Sequence, residues 1–243
     1  MDYNILVSSS PPLDKKKGIR KSRKTKFKDI PKDVLKKIVA QLASKSFIDF
    51  MNAKQTSKEF LEVANDKYVL QHVNVREFEP ISWFHNEKAI KFLNSCKECE
   101  NPEALFKLGM VEFFNERKVE SGLQLLKKAA KKGHVGAIYV SGIILICYGG
   151  QLKEEGIGLL STCKSLRSRL VECRKDAKQI ISNIWINNYI ESSRNDQKEA
   201  TCNCNGGRRS TAWNMDDHVD PNSLCDGCLW NLEARKFCNM LRT

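Results

Sequence analysis

The chain has 243 residues, enough for one or two compact domains with tails at about 100–200 residues per domain. Apolar residues make up 41%, aromatics 8% and charged residues 29%, a globular composition that excludes disorder throughout. No apolar run reaches the roughly 20 residues a bilayer span needs. The net charge of +12 is uneven: residues 1–28 hold nine Lys and Arg against two Asp, a net +7 that leaves +5 for the rest.

Charge concentrated in this way describes a tail rather than a binding face. Residues 1–27 join Ser8-Ser9-Ser10-Pro11-Pro12 to a Lys/Arg cluster beginning at Lys15, and such a stretch cannot bury enough apolar surface to offset its ordering entropy. A disordered basic tail is expected there, serving as a nuclear localisation signal or as a solubilising arm. Ile5-Leu6-Val7 is too short for the apolar region of a secretory signal. The expected location is therefore the nucleus, the cytoplasm or both, where the ten cysteines would be thiols or metal ligands rather than disulfides.

From Asp29 the pattern becomes helical. Pro31 suits a first turn, Asp33 complements the helix dipole, and Val34, Leu35, Ile38, Val39 and Leu42 recur at spacings of three and four. Phe47, Ile48, Phe50 and Met51 mark a second short helix; Phe60, Leu61 and Ala64 mark a third. Three such helices make a core too small to be secure alone. Ile30-Pro31-Lys32-Asp33-Val34-Leu35-Lys36-Lys37-Ile38 with Leu42, followed by Thr56-Ser57-Lys58-Glu59-Phe60, resembles the F-box. Ser57 stands where that family commonly has Cys, and Phe60 where it commonly has Trp. The resemblance covers residues 28–70 and implies docking onto the Skp-type adaptor of cullin-RING ubiquitin ligases. Ile30, Pro31, Val34, Leu35, Ile38 and Leu42 are the surplus apolar residues expected to meet that partner. The competing expectation is that these six pack onto the chain's own C-terminal part.

Residues 81–190 carry a repeat. Ala104–Met110 aligns with Ala137–Ile143 at a shift of 33, and Glu120–Leu126 with Glu154–Leu160 at a shift of 34. Matching small residues predict close helix pairs, and Gly133 is placed for a helix C-terminus. Leu108-Gly109-Met110, Leu126-Lys127-Lys128-Ala129-Ala130 and Gly133-His134 with Ala137 are similar to Sel1-like repeats, relatives of the tetratricopeptide repeat. Two units over residues 102–164 need caps. Residues 81–95, with Trp83, Phe84, Ala89, Ile90, Phe92 and Leu93, supply one. Residues 166–190, with Leu166, Leu170, Cys173, Ala177, Ile180, Ile181, Ile184 and Trp185, supply the other. Such arrays bind protein targets on their concave side or serve as rigid spacers. His134 reads as a helix-start residue, and Cys96 and Cys99 as structural.

Five cysteines fall in the last 42 residues. Cys202-Asn203-Cys204 and Cys225-Asp226-Gly227-Cys228 deliver four thiolates as two close pairs, which suits one tetrahedral zinc ion; His218 and Cys238 are alternate ligands. The segment 200–243 loosely resembles MYND-type zinc fingers, and the chain as a whole resembles a plant F-box group. The expected fold is all-α: a trihelical F-box, a short helical-repeat solenoid and a small Cys-rich terminal module. The expected function is a non-catalytic substrate receptor that joins a Skp-type adaptor to an unidentified protein target. Its rival is a zinc-containing nucleic-acid-associated protein with a nuclear-targeting tail, disfavoured because the body lacks a dense basic stripe. No phosphate loop, His-Glu-x-x-His or nucleophile elbow nominates an enzyme.

Overall fold

The computed structural model describes residues 30–76, 87–163, 165–191 and 224–242. Among them the regular structure is entirely helical. The basic tail, Trp83 and Phe84 lie outside the described residues.

Helix α1 (Lys32–Lys45) follows Pro31 and carries Asp33 in its first turn. Three short helices follow: α2 (Phe47–Thr56), α3 (Lys58–Ala64) and α4 (Lys67–His72). Each starts on a side-chain oxygen that accepts a backbone N–H, from Ser46, Ser57 and Asp66 respectively, the usual way to satisfy a helix's orphan donors. Ser57, the departure from the F-box pattern, thus caps α3. The N-terminal unit has four helices where three were expected, and its core is not closed by them alone. Leu35, Val39, Ala43, Phe50, Val63, Val69 and Leu70 pack with Leu93 and Cys96 of α5 (Glu87–Glu98). The Phe47 ring meets the Phe92 ring of α5 at 5.7 Å between centroids. Helix α5 is the neighbour that a core this small requires.

Two helical hairpins come next, α6 (Pro102–Phe114) with α7 (Val119–Lys131) and α8 (Val135–Tyr148) with α9 (Gly150–Thr162). The expected small residues sit where the backbones touch. A Cβ on Gly122 would lie 2.5 Å from the Phe113 nitrogen, and one on Gly156, its counterpart 34 residues on, would lie 2.7 Å from the Gly142 carbonyl oxygen. Helix α7 ends in a Schellman motif: Gly133, at φ +83°, donates to the Ala130 carbonyl and His134 to that of Ala129. Thirty-three residues earlier α5 ends the same way, with Glu100 at φ +59° donating to Lys97 and Asn101 donating to Cys96. Lys128 and Lys132 clasp the Glu100 carboxylate at 2.8 Å each and hold its pKa down to about 2.

The next residue of each motif starts the following helix. Asn101 Oδ1 accepts from the Glu103 and Ala104 N–H groups, while its Nδ2 donates to the Leu70 and Val73 carbonyls. This buried side chain joins the N-terminal unit to the repeats. His134 Nδ1 accepts from Ala137 N–H, so Nε2 carries the proton and donates to Glu103 at 2.9 Å. His134 is the helix-start residue expected of it.

Helix α8 is buried along twelve of its fourteen residues, a pattern that demands cover on every side. Helix α10 (Leu166–Ser182) lies across α6 and α8, and α11 (Asp226–Met240) lies across α8 and α9. Leu229, Trp230, Ala234, Phe237 and Cys238 of α11 share one core with the repeats, so the end of the chain is part of the repeat body where a separate module was expected. The buried Glu233 carboxylate accepts from the Tyr139 hydroxyl at 3.3 Å and lies 3.5 Å from Arg174 Nε, tying α11 to α8 and α10. Arg76, at the exit of the N-terminal unit, bridges Glu172 and Asp176 of α10.

Candidate partner-docking site

The face of α1 that leaves its own core uncovered follows from helix geometry. Leu35, Val39 and Ala43 form an i, i+4, i+8 row that points into the N-terminal core. Val34, Ile38 and Leu42 form the row one residue earlier, rotated by about 100°. Val34 is 47% exposed and Ile38 49%, with Leu42 half-buried at the edge. Pro31 is exposed and Ile30 half-buried against the core. Of the six residues expected to dock, Leu35 is corrected: at 4% exposure it is core. Apolar residues at both 34 and 35 let either row face inward, and periodicity alone does not choose.

The opposite flank of α1 is polar and engaged. Lys32 pairs with Glu62 at 2.9 Å and Lys36 with Asp66 at 2.8 Å. Lys36 holds the Asp66 carboxyl below its ordinary range through that contact. These pairs link α1 to α3 and to the residue that caps α4, while the buried Leu35, Val39 and Ala43 set the orientation of the uncovered row. Ile48 on α2 and Leu61 on α3 add exposed apolar side chains, although the sequence marked them as helix residues and not as docking residues. Ile48 stands alone between Phe47 and Phe50, which turn inward, and that break in the pattern is the available signal.

The expected zinc ligands are only partly on view. Cys202, Cys204 and His218 lie outside the described residues. Cys225 is the exposed N-cap of α11, and Cys228 is half-buried in its first turn. Cys238 is ten residues further along the helix, about 15 Å at 1.5 Å per residue. It is buried with its Sγ 3.5 Å from that of Cys147. It is corrected from alternate ligand to core residue, since one ion cannot reach both ends of that span. Among the described residues no three His, Cys, Asp or Glu side chains are grouped to hold a metal.

Helix α10 packs against both α6 and α8. Trp185, expected to cap the repeats, is instead 67% exposed, because α10 ends at Ser182 before its period reaches that residue. Cys96 is buried, and burial pushes its thiol up to about 12. Among the described residues no helix is long and apolar enough to cross a membrane.

The fold is a helical-repeat body preceded by a four-helix N-terminal unit with a half-exposed apolar row on α1. A family model of plant tetratrico peptide repeats matches residues 76–182. An Arabidopsis thaliana protein named "Putative F-box protein At1g67623" is 35% identical over 211 residues, 82% of this chain and 70% of that protein. "F-box protein At2g35280" of the same plant is 31% identical over 134 residues, 54% of this chain and 79% of that protein. "F-box protein At5g50450", also from Arabidopsis thaliana, is 28% identical over 153 residues, 62% of this chain and 43% of that protein. No solved structure matches the chain significantly. The chain belongs to the plant F-box proteins with tetratricopeptide-like helical repeats.

Proposed function

We propose that this protein is a non-catalytic substrate-receptor subunit of an SCF-type cullin-RING ubiquitin ligase. The docking surface for the Skp-type adaptor is Ile30, Pro31, Val34, Ile38 and Leu42, and the repeat body is a rigid platform for a protein target. The observation that carries this reading is the half-exposed Val34–Ile38 row on α1, in a chain whose relatives are F-box proteins. Apolar side chains held out on a helix anchored by its own buried row cost little ordering of the backbone on binding. Size-exclusion chromatography of the purified chain with a recombinant Skp-type adaptor and cullin tests it. Co-elution in equal amounts supports the assignment, and separate elution at micromolar concentrations overturns it.

Zinc belongs to the same proposal. Cys225 and Cys228, one turn apart at the start of α11, form half of a tetrathiolate, with Cys202 and Cys204 as the other half. Close to one equivalent of zinc in purified protein, lost in Cys225→Ser, is the expected result; zinc far below one equivalent removes the site. Lys15 to Lys28 act as a nuclear address in this reading, and uniform cytosolic signal from a reporter fused to residues 1–28 excludes it.

A further inference from the structure

We infer that the outer face of α10, with the extended segment that follows it, is the target-docking surface and takes an acidic peptide segment bearing apolar side chains. The inference rests on the substrate-receptor reading and names a target surface for it.

Val171, Lys175, Lys178 and Ser182 follow one another at spacings of four, three and four, which sets them in one line along α10. All four are exposed, Val171 at 72%. Past the helix end, residues 184–190 alternate. Ile184 and Ile190 are buried, while Trp185 and Tyr189 stand out at 67% and 57% exposure. Backbone and side-chain bonds to the end of α6 hold this segment in place. Asn187 and Asn188 N–H donate to the Phe114 carbonyl at 2.8 and 3.0 Å. Asn115 Nδ2 donates to the Trp185 carbonyl at 2.8 Å, and Asn187 Nδ2 to that of Asn115 at 2.7 Å. Asn188 Nδ2 donates to the Phe113 carbonyl at 3.1 Å. Two large aromatic side chains are thereby fixed outward on an ordered backbone, the arrangement that dominates binding energy at protein interfaces.

The charges on α10 and beside the turn after α6 select the partner. Glu116 is paired with Lys118, Glu172 and Asp176 with Arg76, and Glu191 with Arg242. Arg117, next to the turn that holds Trp185, is exposed, as are Lys175 and Lys178; among the described residues none of the three has an ion pair. A face with aromatic anchors and uncompensated cations complements an acidic, apolar segment. Three scattered cations interleaved with Glu172 and Asp176 are too sparse for the phosphate density of a nucleic acid.

The test titrates the full chain with short labelled peptides that alternate Asp or Glu with Leu or Phe. Control peptides carry Lys in place of the acids, and a single-stranded oligonucleotide is run alongside. The expected result is binding of the acidic peptide, weakened at least about tenfold in Trp185→Ala and in Lys175→Glu/Lys178→Glu. The charge-reversed variant should prefer the Lys peptide. Equal affinity for both peptides, unchanged binding by the variants, or tighter binding of the oligonucleotide would overturn the inference. So would protection of Trp185 from acrylamide quenching in the free chain, which would place the chain's own residues on it, or dimerisation lost in Trp185→Ala. Adaptor binding is measured on the same variants and should not change. Loss of adaptor binding by the unmodified chain sinks the receptor reading, whereas failure of the peptide arms alone sinks only this surface.

Discussion

Gly122 and Gly158 both lie inside α-helices, yet alanine at each is expected to shift stability in opposite directions. The intrinsic gain is the same at both, about 1 kcal/mol in favour of alanine in a helix interior. At Gly158 nothing lies within 4 Å of the added carbon, so Gly158→Ala should stabilise by about 0.5–1 kcal/mol. At Gly122 the added carbon would stand 2.5 Å from Phe113 N and 2.8 Å from its Cα, against an optimal separation of about 3.5–4 Å. Backbone cannot rotate aside as a side chain can, so α6 and α7 must part by about 1 Å. Overpacking of this kind costs about 1–3 kcal/mol, which cancels or outweighs the helix gain of about 1 kcal/mol and leaves a net loss of up to about 2 kcal/mol. Urea unfolding of the full chain, followed by far-ultraviolet circular dichroism and extrapolated linearly, reads both. A Gly122→Ala protein stabilised as much as Gly158→Ala would show that α6 and α7 do not meet there, and the repeat register would be wrong.

Other consequences follow from single contacts. Asn101→Ala removes a helix cap worth about 1 kcal/mol and strips a donor from two carbonyls, at about 1–3 kcal/mol for a buried unpaired group. A loss of about 3 kcal/mol by urea unfolding is expected, and a loss under about 1 kcal/mol would show that Asn101 is no joint. Burial pushes the Glu103 carboxyl up, but the hydrogen bond from His134 Nε2–H and the charges of Lys107 and Arg76 together hold it below its ordinary range. The unfolded chain therefore takes up this proton first as pH falls, so the contribution is full at neutral pH and drains away in acid. Glu103→Gln should flatten the acid limb of a stability–pH curve, and an unchanged limb contradicts the pairing. Burial raises the thiol of Cys96 to about 12 and that of Cys173 to about 11, and Cys147 is pushed up by its contact with Cys238 and by burial. Because the thiolate is the nucleophile, these three should resist a thiol reagent at neutral pH until the chain unfolds; fast labelling of any would show it is not enclosed.

The parts of the architecture legible in the sequence are those governed by local spacing. Gly122 and Gly156 in register, Gly133 at a left-handed turn and His134 as a cap follow from a repeat of about 33 residues, because backbone approach and left-handed φ restrict the residue type at one position. What spacing left open was orientation and cover. Val34 and Leu35 are both apolar, and only tertiary packing decides which row turns inward. Helix α4 is six residues long, too short for a period to register, although Asp66 as its cap was a usable signal. The apolar run from Val135 to Cys147 suits a helix buried on all sides, yet it does not say that α10 and α11 provide the cover. Cys238 matched a ligand by residue type, but its place three turns along α11 from Cys228 removes it from any shared site.

The central claim is that the row one residue from the core on α1 is kept for a partner. Calorimetric titration of a Skp-type adaptor into Val34→Glu and Ile38→Glu tests it most directly, with unfolding curves run on the same samples. A carboxylate buried without a partner in an apolar interface should weaken binding by roughly 100-fold or more while the unfolding midpoint stays where it was. Undiminished adaptor binding by both folded variants would contradict the account.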